Sequence, residues 1–435
     1  MADTLRKSET GDVAPVVRDT TDLHQPHGFT RIFGALRESP YYRTFWFGNQ
    51  SSLLFNQMMA VAIGYITFTL TGSAGIVGLV SLAQGLPMLF FSPVGGVIAD
   101  RYAKRDLLIA VQVTLCLNAV VVGILVSLGL IQWWHLLAVG FVQGMAFSVN
   151  MPARQSWIPS LVKASELPNA IALNNAGLNA ARVIGPALAG VLIAIPGFGA
   201  NGVFYLSVPA ALWVLYSLFQ IPIRGFATAT KRSSFWTEFT AGLRYIWNHQ
   251  TLAPLFTLAA VTLLLGTSYQ SLLPAYALGV FNVGSEGQGL MSTFVGLGAL
   301  VGSLSMAYFS RSRRKRLIQS IAGTVLGLSL LCFGVASGLK LFALALAVLF
   351  VVGLATDFYS TINNTLILLN TEPALYGRVM SVYMMTWSLS PLAAAPLGTA
   401  IDTIGGATTM IVIGAVLAVF VLGMTRFHPG FRKLS

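Results

Sequence analysis

From about Tyr41 onward, apolar stretches alternate with short polar breaks. A helix rises about 1.5 Å per residue, so about 20 apolar residues cross the hydrocarbon core of a bilayer. That ruler marks twelve spans: 45–70, 75–99, 107–130, 134–153, 171–195, 200–222, 252–277, 287–309, 317–337, 341–365, 377–400 and 406–426. The breaks between them are of two kinds, in strict alternation. One set is short and almost uncharged: Thr71–Ala74, Ile131–Trp133, Pro196–Gly199, Asn282–Glu286, Ser337–Lys340 and Ile401–Gly405. The other carries basic residues: Arg101–Arg105, Arg154–Lys163, Arg224–Arg244, Arg311–Arg316, Arg378 and Arg426–Lys433.

Composition agrees with lipid as the solvent. Apolar residues make up 55% of the 435 and charged residues 9%, whereas a soluble domain has roughly a quarter of its residues charged. The net charge of +12 does not point to nucleic acid. All but two of the 26 Lys and Arg fall on one side of the spans or at its edge; the exceptions are Lys340 and, inside a span, Arg182. That bias places the basic connections and both termini in the cytoplasm. Cys116 and Cys332 fall mid-span and read as small buried hydrophobes, with neither a disulfide nor a metal implied. Residues 1–40 are polar, lack the apolar core of a cleavable signal peptide and read as a cytoplasmic tail.

The expected fold class is an all-α membrane protein of two pseudo-symmetric six-helix bundles. The first covers 41–223 and the second 251–426, followed by a tail at 427–435. Between the bundles lies a linker, 224–250, in which Trp236, Phe239, Leu243, Ile246 and Trp247 recur at helical spacing. This stripe fits a helix lying at the membrane interface, or one packed on the bundle.

Shifting the chain by about 210 residues lays one half on the other. Asp100–Leu107 falls on Ser310–Leu317, with basic residues coinciding. Gly185-Pro186-Ala187-Leu188 falls on Ala395-Pro396-Leu397-Gly398, and Gly144 meets Gly353. Two repeated halves place a transport path at their interface near the bilayer midplane.

The run Gly95-Gly96-Val97-Ile98-Ala99-Asp100-Arg101-Tyr102-Ala103-Lys104-Arg105 resembles the G-x-x-x-D-R-x-x-[RK]-[RK] signature of the major facilitator superfamily. Asn150–Pro159 and Gly377–Ser381 look like the branch that includes enterobactin exporters and macrolide-efflux proteins. The resemblance implies a bacterial inner-membrane carrier that expels a small amphipathic molecule, usually by proton antiport. Arg182–Gly190 is similar to the antiporters' G-P-x-x-G-G motif, with Ala189 in place of one glycine. There Gly185 and Pro186 can kink the span, since proline cannot donate to the helix ladder.

Ionisable groups inside spans are costly and are functional suspects. Asp357 in span ten can be a proton carrier, or a gate partner of a basic residue such as Arg378. Asp100, Arg101, Arg105 and Arg154 complete the candidate gate and coupling group at the cytoplasmic edge. Arg182 in span five, with Asn175 and Asn179 nearby, can hold an anionic group of the substrate or anchor backbone carbonyls. By family analogy spans one, four, seven and ten line the cavity. They offer Asn49, Ser52, Asn56, Gln143, Asn150, Tyr269, Gln270, Tyr359 and Asn363, with Tyr383 and Trp387 from span eleven.

No phosphate-cradling loop, no His/Cys cluster with metal spacing and no nucleophile elbow occurs, so no cofactor, metal or enzyme activity is expected. The expected partners are lipid, a small substrate and protons, with a monomer by family habit. An importer, a lysophospholipid flippase or a non-transporting sensor on the same scaffold stays open.

Overall fold

The structure is a computed structural model that describes residues 33–225, 235–309, 314–372, 375–428 and 431. Most of the expected N-terminal tail, residues 1–32, lies outside the described residues, as does the Arg311–Arg313 part of one basic connection.

Among the described residues, eleven helices are long and apolar enough to cross a bilayer. They are Pro40–Thr71, Ala74–Arg101, Lys104–Ser127, Trp133–Leu161, Leu167–Ala194 and Gly199–Phe219, then Gly284–Phe309, Lys315–Gly338, Phe342–Leu369 and Gly406–Phe427, with span seven assembled from shorter pieces. Span eleven completes the twelve but is broken, running Tyr376–Thr386 and then Leu389–Ile404. Pro391 explains the break. Its ring collides with the carbonyl four residues back, that of Trp387, and it offers no N–H there. Span seven runs as Leu252–Gly266, Tyr269–Pro274 and a π-helical turn, Ala275–Val280, where one uninterrupted helix was expected. The Ser268 hydroxyl sits at its break, within donating distance of the carbonyls of Leu264 (2.6 Å) and Ser390 (2.8 Å), so its single hydrogen can bond within span seven or tie it to span eleven.

Span four is longer than its apolar stretch suggested. It continues through Arg154 to Leu161 because Ala153, Trp157, Ile158 and Leu161 form a buried stripe against Tyr42, Phe45 and Leu218. Arg154 is therefore part of a span and not of a loop.

The two halves pack alike. Span two lies on four as eight lies on ten, and three lies on six as nine lies on twelve. The halves meet where span two packs on eleven and span five on eight, a pair of contacts that exchanges under the same twofold. The sequence repeat marks these seams. A Cβ on Gly144 would collide with the Gln84 carbonyl of span two, and one on Gly353 with the Val295 carbonyl of span eight. Likewise Gly190 meets the Ser285 carbonyl and Gly398 the Ala74 carbonyl, both across the half interface. Small residues let these backbones touch.

The helix at Phe235–Asn248 packs on the second half. Ile246 is fully buried there with Leu252 and Val379, and Phe239 and Leu243 are partly buried against the same core, while Trp247 is exposed. Cys116 is half-buried and Cys332 exposed, which corrects the expectation of two buried thiols. A lipid-facing position is as apolar as a core one, so hydropathy does not separate them.

For orientation, the face carrying the termini and basic connections is here the terminal face, and its opposite the far face. Among the described residues, hydrogen bonds between the halves sit towards the far face: Gln288 Nε2 donates to the Val61 carbonyl (3.1 Å) and Thr293 Oγ1 to the Val183 carbonyl (3.2 Å). Glycine-tight contacts between the halves run from mid-span to the far ends, as at Gly85 on Pro391 and Gly296 on Arg182. On the terminal side, Gly95 meets Ser148, Gly302 meets Leu354 and Gly323 meets Tyr359, each within one half.

Candidate substrate cavity

A cavity of about 490 Å³ lies at the junction of the halves. Spans one, two, four and five line it from one half, and seven, eight, ten and eleven from the other. Its polar lining comprises Asn56, Gln57, Gln84, Gln143, Gln270, Gln288 and several Ser and Thr hydroxyls, against walls of Val, Leu, Pro and Trp387. Two charged residues line it, Arg182 from span five and Asp357 from span ten.

These two ionisable groups face each other across the half interface closely enough to interact electrostatically, though not within the 4.0 Å of a direct ion pair. Asp357 Oδ2 is buried and has no hydrogen-bond partner. Span eight holds both in place. The Arg182 carbonyl comes within 2.8 Å of where a Cβ on Gly296 would stand, and Asp357 Cβ within 3.4 Å of the same point on Gly302. Glycine at these two positions lets spans five and ten approach span eight from opposite sides. A pairing of Asp357 with Arg378 does not form. Arg378 lies at the start of span eleven, against Gly242 of the linker helix, and the charge opposite Asp357 belongs to Arg182.

Pro186 also lines the cavity, in a helix that continues unbroken from Leu167 to Ala194. Gly185 packs against Gln57, whose Cβ lies 2.6 Å from the point a glycine Cβ would occupy. The Gly-Pro pair thus sets how closely span five approaches spans one and eight.

Other candidate residues are placed elsewhere. Tyr269, Tyr359 and Tyr383 are almost wholly buried inside the second bundle, with Tyr359 against Gly323 and Tyr383 edge-on to Phe256. Asn363 is buried and accepts from Gln319 Nε2 at 2.5 Å. Asn175 is exposed, and neither it nor Asn179 lines the cavity. Asn49 bonds Asn174 of span five, Nδ2 donating to Oδ1 at 2.8 Å. Ser52 and Asn150 face a second, smaller cavity inside the first bundle, which shares Asn56 and Gln143 with the central one.

At the terminal edge, Arg105 donates to the Ile221 carbonyl (3.0 Å) and to Asp106 (3.3 Å), pinning spans three and six of one half. Arg101 is exposed. Asp100 is the penultimate residue of span two, and its side chain lies outside the described residues.

Gln84, Gln288, Ser292, Thr356 and Ser360 also line the cavity but were not among the sequence candidates. The analogy that limited the lining to spans one, four, seven and ten passed over spans two and eight. An amide within an otherwise apolar span was the available signal.

Two six-helix repeats around a shared polar cavity define a major facilitator transporter, a secondary-active carrier of small molecules and not an enzyme. The chain belongs to the family described as transmembrane secretion effector, which it matches over residues 32–429. It is similar to macrolide efflux protein A of Streptococcus pyogenes, 23% identical over 82% of this chain and 87% of that one. It is also similar to the enterobactin exporter of Citrobacter koseri, 24% identical over 86% and 87% of the two chains. Among solved structures, a POT family transporter in complex with a thioalcohol-conjugated peptide superposes with a TM-score of 0.72 at 15% identity, covering 90% of this chain and 96% of that one.

Proposed function

We propose that the protein is a proton-coupled exporter of the bacterial inner membrane that carries a small amphipathic molecule, of siderophore or macrolide-like character, out of the cytoplasm. The observation that carries this reading is the central cavity, whose two charged lining residues, Arg182 and Asp357, come one from each half. A buried carboxylate that can shed its charge by taking up a proton, set opposite a fixed cation, can couple proton movement to the rocking of the halves.

The basic connections on the terminal face favour the cytoplasm for that side, by the positive-inside rule. The halves hold together from mid-span to the far face, so the shape supports a cavity facing the cytoplasm, the side from which an exporter loads. Amide and hydroxyl groups on apolar walls suit a substrate with both characters. The names of the efflux protein and the siderophore exporter among the relatives favour outward movement.

The test uses inverted membrane vesicles and a fluorescent macrolide. Accumulation that requires an imposed proton gradient and stops when an uncoupler collapses it supports the proposal. Accumulation that persists without the gradient removes proton coupling, and accumulation only in right-side-out vesicles reverses the direction.

A further inference from the structure

Among the described residues, Arg154 hydrogen-bonds neutral groups only, within the first bundle. Its Nε donates to Asn150 Oδ1 at 2.5 Å, its Nη1 to Asn49 Oδ1, and its Nη2 to Ser52 Oγ at 3.4 Å. No carboxylate among the described residues lies within ion-pair distance of it. Glu38 pairs instead with Lys163, and Asp106 with Arg105. A guanidinium has five N–H donors, so two remain unused. Beside it is the smaller cavity, about 60 Å³, between spans one, three, four and six.

The walls of that cavity are largely apolar, and its polar residues beside Arg154 include Gln112 and Asn150. Gln112 Oε1 is taken by the Ser52 hydroxyl and Asn150 Oδ1 by Arg154, which leaves the amide N–H groups of both residues unengaged. Both residues are almost fully buried, at 5% and 4% exposure. A partly buried cation with no counter-charge among the described residues is costly, and that cost falls if an anion occupies the space beside it.

We propose that this cavity is a binding site for a small monoanion, a halide or a carboxylate group, held by Arg154, Gln112 and Asn150. It is distinct from the Arg182–Asp357 centre and joins the central cavity through Asn56 and Gln143. The anion can come free from solution or as the carboxylate head of a substrate. Neither the direction nor the coupling of transport enters the inference.

The experiment measures thermal unfolding of the full chain in detergent at constant ionic strength, titrating sodium chloride or sodium acetate against sodium isethionate, which has neither a halide nor a carboxylate. A saturable rise in melting temperature with chloride or acetate, absent with isethionate, is expected for the unaltered protein. A response to chloride alone assigns the site to a free ion, and a response to acetate alone assigns it to a carboxylate group. Arg154→Gln should abolish the rise, whereas Arg182→Gln should keep it. Gln112→Ala, which leaves the charge in place, should weaken binding about tenfold, the worth of one charge-assisted hydrogen bond. A melting temperature indifferent to anion identity, or an undiminished response in Arg154→Gln or Gln112→Ala, overturns the proposal.

Discussion

The Asp402 carboxylate, at the far end of span eleven, accepts a 2.6 Å hydrogen bond from the Ser73 hydroxyl at the start of span two. It also accepts from the backbone N–H groups of Ala74 at 2.8 Å and Gly75 at 2.9 Å. A residue of the second half thus caps a helix of the first, satisfying donors that a helix start leaves open and placing negative charge at the positive end of its dipole. Separation of the halves at the far face must break this cap.

Asp402→Ala is therefore expected to favour the far-open state by about 1 kcal/mol, roughly fivefold in population. The measurement is labelling of Ser271→Cys, in a background free of Cys116 and Cys332, by a membrane-impermeant thiol reagent applied from the far face. Faster labelling in the Asp402 variant is expected; an unchanged rate means that the cap does not hold the gate.

The close approach of Gly398 to the Ala74 carbonyl joins the halves near the far face and must break if they part there. Gly398→Ala should therefore raise the same labelling rate and slow transport, with little loss of thermal stability. Gly96, where a Cβ would meet nothing within 4 Å, is the control, and Gly96→Ala should change neither quantity.

Gly144 and Gly353 differ from Gly398 because their tight contacts lie within a half, so a rigid-body rocking of the halves leaves them in place. Alanine at either position overpacks a helix seam and should cost about 1–3 kcal/mol of stability. Thermal unfolding in detergent should show losses of similar size for the two variants, since the positions correspond under the repeat. A loss in one half only would break that correspondence.

Asp357→Asn keeps the shape of the side chain but fixes it neutral. Gradient-driven accumulation should fall at least about tenfold, while substrate exchange without a gradient continues, because only the proton-dependent step is removed. Gradient-driven transport at the original rate would remove Asp357 as the carrier.

The architecture was legible in the chain because its signals are one-dimensional. Span length follows from bilayer thickness, topology from the side on which Lys and Arg accumulate, and the repeat from an offset that brings Gly144 onto Gly353. The candidate site was legible only in part. Asp357 and Arg182 stood out as charges in apolar runs, since that cost is visible in a single segment.

What tertiary structure decided is pairing and direction. That Asp357 faces Arg182 and not Arg378 depends on how closely spans five and ten approach span eight at Gly296 and Gly302. Tyr359 and Asn363 point into their own bundle while Trp387 lines the cavity, because helix rotation is set by packing against neighbours and every face of a membrane helix reads as apolar. Arg154 looked like the edge of a loop, yet the buried stripe from Ala153 to Leu161 carries it into the bundle, where side chains distant in sequence receive its N–H groups. A sequence fixes what each segment can tolerate around it; which partner supplies that environment is settled only when the helices come together.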